Sequence, residues 1–323
     1  MYKYCIKDSW FYFGRNLDVE RSYYQSVVIT PRNYVFEFTD GSKTNNHYAM
    51  IGMATVIDDY PLYAEATNEK GLSVAGLNFP SNAHYFEPSK TKYNISPFEF
   101  VPYLLSNCSN ISEVEAILKD CTITNIDFSE KLPLSPLHWM INDATKTIVV
   151  ESTIDGLKVY DNPVGVLTNN PRFDYHLSNL ANYMNLSTSN PNNEFTKLMS
   201  PNNYGVGMGG IGLPGDLSPA SRFVRAAFTK FNSNSKTDEL SSVNQFFHFL
   251  DSVAMSRGVV MVKEDVYEFT LYSSCINTNK GIYYYKNYYN NEITAVHMHH
   301  ENLDTKDLIS FEWNTTQTIH NIN

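Results

Sequence analysis

The chain has 323 residues, of which 42% are apolar and 18% charged, and a formal net charge of −10. That balance belongs to a globular protein with ample material for a core. The acidity argues against a nucleic-acid partner and against anionic membranes. The length prior suggests about two domains, but no linker, repeat or heptad run divides the chain, which reads as a single domain, 1–323. Cys5, Cys108, Cys121 and Cys275 show no CxxC spacing, so a reducing, cytoplasmic setting is expected. The first ten residues, MYKYCIKDSW, lack the basic region and apolar core of a signal peptide. No stretch reaches the roughly 18 uninterrupted apolar residues of a membrane-spanning helix.

In chain order, residues 2–6 and 10–16 read as strands joined by a short polar turn at Lys7-Asp8-Ser9. Strands follow at 25–30 and 34–38, split by Pro31, with a polar turn over 39–46. Residues 48–57 and 71–77 are further strands. Ser96-Pro97 resembles an N-cap with proline in the first turn, opening a helix to Leu105 in which Pro102 predicts a kink. Ser112 with Glu115 reads as a capping box before a short helix over 116–119. Residues 137–169 alternate as a β-meander, with LHWMIND, TIVVEST, LKVYD and VGVLTNN as its strands. Asp174 is placed to cap a helix to about Met184, and residues 205–215 form a Gly-rich loop. Helical periodicity covers 220–231 and 238–257, the second with Leu240, Val243, Phe246, Phe247 and Leu250 on one face. Strands return at 266–276, 282–289, 293–298 and 308–313. Strands at both ends with helices between them predict an α+β layered fold whose termini share sheets.

Polar groups at strand ends are the places where chemistry is expected. Phe13-Gly14-Arg15-Asn16-Leu17-Asp18 ends an aromatic strand with two opposite charges, which by themselves read as an ion pair. Asn78 follows the strand at 71–77, Asn169 follows VGVLT, and Arg222 falls in the first turns of the helix at 220–231. An asparagine amide can donate to a developing oxyanion, and arginine can steady a thiolate or carboxylate. Taken singly, each asparagine before a proline is an ordinary turn residue. His297, His299 and His300 lack a carboxylate or cysteine at ligand spacing, and strand geometry would put His300 on the face opposite His297 and His299. The Gly-rich loop at 205–215 offers no GxGxxG after a strand and no GxxxxGK[ST], and no GxSxG occurs.

FGRNLD (residues 13–18), DDYPLYAEATNEKGLSVAGLNFP (58–80), LHWMIND (137–143), VGVLTNNPRFDYH (164–176), GLPGDLSPASRF (212–223) and GIYYYKNYYNN (281–291) together resemble the choloylglycine hydrolase family, in the family's order. That family holds the bile salt hydrolases and penicillin V acylases. The resemblance implies a four-layer αββα N-terminal-nucleophile hydrolase sandwich, two antiparallel sheets between helices, with no cofactor and no metal. It implies a linear amide C–N hydrolase in which an N-terminal cysteine thiol attacks the amide carbonyl and its own α-amine, with an ordinary pKa near 7.7–8.0, acts as base. Carried over by motif, Arg15 would lie beside the thiol, Asp18 would hold the amine, Asn78 and Asn169 would serve the oxyanion, and Arg222 would complete the ring. Leu17, Tyr23, Ala64, Phe128, Leu132 and Leu137 would form the apolar substrate wall. Asn78 stands where many penicillin V acylases carry tyrosine, which favours conjugated bile salts, with release of taurine or glycine. The resemblance further implies a homotetramer.

The departure is at the amino terminus, where residues 2–4 are Tyr-Lys-Tyr. A two-residue turn at Asp8-Ser9 makes cross-strand partners sum to seventeen, which places the partner of Asp18 two residues ahead of Met1. Cys5 would then lie roughly 20 Å from that spot at strand rise. Three readings follow: an internal methionine taken as the start, with Met-Cys-x ahead of it; an inactive homologue that binds bile salts; or processing that exposes Cys5. The rival within the family is a penicillin V or N-acyl-homoserine-lactone acylase.

Overall fold

Two antiparallel sheets carry the chain. The structure is a computed structural model that describes residues 2–5, 11–90, 93–234 and 238–323. In the eight-stranded sheet the order is Gly156–Asp161, Thr147–Thr153, Leu137–Asn142, Ser73–Asn78, Tyr60–Asn68, Met50–Ile57, Ser26–Thr30 and Ile309–Phe311. The seven-stranded sheet runs from Tyr2–Cys5 through Phe11–Gly14, Val266–Asn277 and Ile282–Asn287 to Asn290–His297, with Asn16–Val19 and Val260–Lys263 also paired to the long strand Val266–Asn277. Both ends of the chain therefore enter sheets, as the strand pattern predicts.

Alternation explains the layering. In the strand Thr147–Thr153 every residue is buried, Val149 in the core between the sheets and Ile148 and Val150 in the core on the other face. Met140 likewise points one way and Trp139 and Ile141 the other. A strand covered on both faces needs apolar residues at every position rather than at alternate ones. The outer face of the eight-stranded sheet is covered by helices Phe100–Asn107 and Ile111–Leu118, which share its second core. Helices Pro219–Asn232 and Glu239–Asp251 supply Phe223, Ala226, Phe246 and Phe249 to the other core. The layers are helix, sheet, sheet, helix. No helix among the described residues is long and apolar enough to cross a membrane.

Several local expectations differ from what the fold contains. The strand Tyr60–Asn68 was not expected, because Pro61, Glu65, Thr67 and Asn68 break the apolar pattern; all but Pro61 meet polar partners inside the protein. Residues 34–38 contribute only Phe36–Glu37, paired with Lys43–Thr44 inside the supposed turn. Pro102 kinks nothing, since the helix starts at Phe100 and its first-turn amides have no intrahelical acceptor to lose. Asn110, not Ser112, caps the helix Ile111–Leu118 by accepting from the Glu113 amide, and Glu113 accepts from Ser109 N–H in return. Asp174 lies inside the helix Phe173–Asn179, which Arg172 precedes. VGVLTNN forms no ladder strand, because the Asn162 side chain takes the Gly165 amide and the Val166 carbonyl into a turn. His297 and His300 stack at 4.3 Å on a 3₁₀ turn rather than facing apart across a strand.

The amino-terminal hairpin is also out of the expected register. Tyr2 pairs with Gly14, Lys3 with Phe13, Tyr4 with Tyr12 and Cys5 with Phe11, so partners sum to sixteen. A two-residue turn at Asp8-Ser9 is incompatible with that pairing; residues 6–10 themselves lie outside the described part. Cys5 sits opposite Phe11, four residues before Arg15 along the neighbouring strand, roughly 13 Å at strand rise.

Candidate active site

A cavity of about 520 Å³ opens at the ends of both sheets, and all eleven residues singled out from the sequence line it. Arg15, Asp18, Asn78, Asn169 and Arg222 stand together at its polar end. Leu17, Tyr23, Ala64, Phe128, Leu132 and Leu137 belong to its walls, with Phe98 and Val101 added. Phe128 packs edge-on to Phe98 at 5.2 Å, so that part of the wall is an aromatic cluster.

Arg15 is placed by backbone geometry. A Cβ on Gly14 would stand 2.0 Å from the Ser274 carbonyl oxygen, so only glycine lets the chain come this close to Val266–Asn277. Arg15 N–H then donates to that carbonyl at 3.2 Å, and Ser274 N–H donates to Arg15 O at 2.8 Å. The guanidinium donates to the carbonyls of Gly76 at 2.6 Å and Ala64 at 3.2 Å. Beneath it lies Glu65, fully buried, 3.8 Å from Arg15 Nη1. Glu65 accepts from three hydroxyls, Tyr272 at 2.7 Å, Ser274 at 3.0 Å and Tyr283 at 2.5 Å. Burial pushes its carboxyl above the usual range, against the opposing pull of Arg15 and the hydroxyls. The expected Arg15–Asp18 ion pair is not among the pairs formed; Arg15 faces Glu65, and Asp18 faces Arg222.

Asp18 accepts from Thr270 Oγ1 at 2.5 Å and lies 3.8 Å from Arg222 Nη1. It sits where the pairing shifts between Thr270 and Tyr272, and a second shift falls between Met53 and Ala54, opposite Ala64. Such bulges turn a strand and re-aim its side chains. Both flank the cavity, which is how strand residues come to face it.

The Arg222 guanidinium donates to Leu217 O at 3.0 Å and to Asn169 Oδ1 at 2.8 Å. That second bond settles which end of the Asn169 amide is oxygen, because arginine has only donors. The Asn169 NH₂ group therefore points the other way and donates one N–H to Asn78 O at 2.7 Å. Its other N–H has no partner among the described residues, and no hydrogen bond holds the Asn78 side chain. Two amide donors thus remain at the polar end, with Arg222 bonded to Asn169 and Arg15 bonded to the Gly76 carbonyl two residues before Asn78. This arrangement can accept negative charge developing on a carbonyl oxygen.

Sequence reasoning gave no role to Glu65, Thr270 or Glu268. Glu268 lines the cavity, and burial, with Asp18 nearby, pushes its carboxyl up while Arg222 opposes. Glu65 broke the apolar pattern of its own segment and so hid the strand that carries it; Thr270 and Glu268 offered no signal either. Among the described residues no cysteine lines the cavity, and burial pushes the Cys108 and Cys275 thiols up, away from reactivity.

Comparison with known proteins fits this geometry. The family model for linear amide C–N hydrolases of the choloylglycine hydrolase family matches residues 4–311. The chain is 53% identical over 300 residues to a bile salt hydrolase/transferase of Lactiplantibacillus plantarum, covering 93% of each chain. It is 42% identical to a bile salt hydrolase/transferase of Clostridium perfringens, covering 98% of this chain and 97% of that one. A solved arginine-to-leucine variant of conjugated bile acid hydrolase from Clostridium perfringens superposes with a TM-score of 0.92 at 41% identity, covering 100% of this chain and 99% of that one. Penicillin V acylase from Agrobacterium tumefaciens shares the fold, with a TM-score of 0.77 at 17% identity over 96% of this chain and 90% of that one.

Proposed function

Because the chain belongs to the choloylglycine hydrolase family of linear amide C–N hydrolases, we propose that it hydrolyses the amide bond of conjugated bile salts, releasing free bile acid and taurine or glycine. The observation that carries this reading is the division of one cavity into an apolar wall and a ring of Arg15, Asp18, Asn78, Asn169 and Arg222. A steroid body suits the wall, since each large apolar group buried is worth about 1.5–3 kcal/mol. The amide carbonyl then lies at the polar end, where the Asn78 side chain and the remaining N–H of Asn169 receive the oxyanion. Arg222 holds Asn169 in the orientation that makes it a donor. Asp18 is the anion available to an α-ammonium group, and Arg15, with its charge set against Glu65, is the cation beside the thiol.

In this reading the nucleophile is an N-terminal cysteine. Its thiol adds to the carbonyl carbon, its amine takes the thiol proton and passes it to the leaving amine, and water releases the acyl group from sulfur. The homotetramer belongs to the same proposal. The segment 184–212 supports it, with Phe195 at 88%, Leu198 at 97% and Val206 at 96% exposure, large apolar side chains left bare that a subunit contact would cover.

The test is taurine release from taurocholate, with penicillin V alongside, by the 323-residue chain and by the same chain preceded by Met-Cys and one further residue. Taurine release exceeding penicillin V cleavage by either form supports the proposal. Saturable taurocholate binding without taurine from either form would instead establish a non-catalytic binding protein. Light scattering of the eluted protein reports the tetramer.

A further inference from the structure

Behind Asn169 lies a second set of polar groups that the proposed chemistry leaves unused. Two successive peptide carbonyls, those of Thr168 and Asn169, are each met by an imidazole. His138 Nε2 is 2.9 Å from Thr168 O, and His176 Nε2 is 2.9 Å from Asn169 O. A carbonyl only accepts, so both Nε2 atoms carry hydrogen. Each ring is held flat against a phenylalanine: His138 on Phe79 at 4.2 Å, and His176 on Phe223 at 4.8 Å. His138 Nδ1 lies 3.2 Å from Glu151 Oε1, which also accepts the Phe173 amide that opens the His176 helix. His176 is fully buried, and its Nδ1 has no partner among the described residues.

An ordinary core histidine would bind where it satisfies itself best; His176 instead leaves one nitrogen bare to reach the Asn169 carbonyl. With that bond, Asn169 is fixed at its carbonyl, at Oδ1 by Arg222 and at one N–H by the Asn78 carbonyl. One N–H is left, aimed by the other three. We propose that His176, seconded by His138, is a positioning residue for the hydrolase: it fixes the Thr168–Asn169 backbone so that the last amide N–H of Asn169 meets the substrate's carbonyl oxygen. This rests on the amidase reading given above. The groups facing His176 are His138, Glu151 and Arg222, and burial holds its imidazole below the ordinary range, so it remains the neutral Nε2–H donor near neutrality.

The test compares His176→Phe, which keeps the stack and removes the donor, with His176→Gln, whose amide can donate to the same carbonyl. Losing a well-placed oxyanion donor outright costs about 10²–10³ in kcat, and losing its anchor should cost part of that. Expected for His176→Phe is a fall in kcat on taurocholate of about tenfold or more with KM within about twofold, and for His176→Gln recovery of most of the loss. A folded His176→Phe enzyme with unchanged kcat, or a folded His176→Gln enzyme no better than it, would overturn the proposal. Crystal structures of the two variants give a readout without turnover. Displacement of the Asn169 amide in His176→Phe but not in His176→Gln supports the role, and an unmoved Asn169 refutes it. The kinetic comparison uses whichever form, with or without the added Met-Cys-x, releases taurine; if neither does, the amidase reading fails while this structural arm still decides the anchoring.

Discussion

Replacing Glu65 by methionine keeps the volume of the side chain and removes the acceptor on which Tyr272, Ser274 and Tyr283 converge. Two effects compete to set the cost. One is the ion pair with Arg15, but its 3.8 Å separation is long, and Arg15 already has the Gly76 and Ala64 carbonyls. The other is three buried hydroxyls left without an acceptor, each worth about 1–3 kcal/mol. Allowing Ser274 and Tyr283 to bond one another, we expect Glu65→Met to cost about 4 kcal/mol. Glu65→Gln, which loses the charge but keeps an acceptor, should cost about 1 kcal/mol. At about 2.1 cal/mol/K per residue the unfolding entropy of this chain is about 0.7 kcal/mol/K, so the two variants should melt about 6 °C and 1–2 °C low. Calorimetry and urea unfolding measure both. A Glu65→Gln protein as unstable as Glu65→Met would show that the charge, not the hydroxyl cradle, dominates. The pH dependence adds a check of sign. Burial raises the folded-state pKa above the ordinary 4.5, so the folded protein keeps this proton over a window above 4.5 where the unfolded chain has lost it. Wild type should therefore lose stability as pH rises through that window, and Glu65→Gln should lack that limb.

Three other outcomes follow from the same geometry. Gly14→Ala should cost about 3 kcal/mol or more, because the new Cβ would meet the Ser274 backbone oxygen rather than a movable side chain; urea unfolding within 1 kcal/mol of wild type would refute the close approach. His176, with its folded-state pKa held below 6.5, should let stability fall as pH drops below about 6.5, where the unfolded chain takes the proton first; melting temperatures of His176→Gln across that range should show a shallower decline. Phe128→Ala should raise KM for taurocholate about tenfold with kcat little changed, by loss of about 1.5 kcal/mol of apolar contact, and steady-state kinetics with an unchanged KM would remove Phe128 from the substrate wall.

Much of this was legible in the chain itself, for a physical reason. Strand alternation, turn residues and helix caps are local properties, so the tail strands, the meander over 137–161 and the helix Pro219–Asn232 were readable within a residue or two at most ends. The motifs around Arg15, Asn78, Asn169 and Arg222 carried the family because each pairs a strand or helix end with a polar group. What local pattern cannot encode is partnership across distance. Glu65 makes Tyr60–Asn68 look unlike a strand until Tyr272, Ser274 and Tyr283, more than two hundred residues on, receive it. The pairing of Tyr2 with Gly14 rather than Arg15 is a register between strands that the local sequence pattern did not give. Arg15 and Asp18, three residues apart in sequence, part company in space, one toward Glu65 and the other toward Arg222, because the bulges at Ala64 and Leu271 redirect the strands they meet. The sequence by itself determined which residues are present for the chemistry; only the tertiary structure decided which of them touch, since a side chain's partner is set by how sheets twist and bulge, not by its neighbours along the chain.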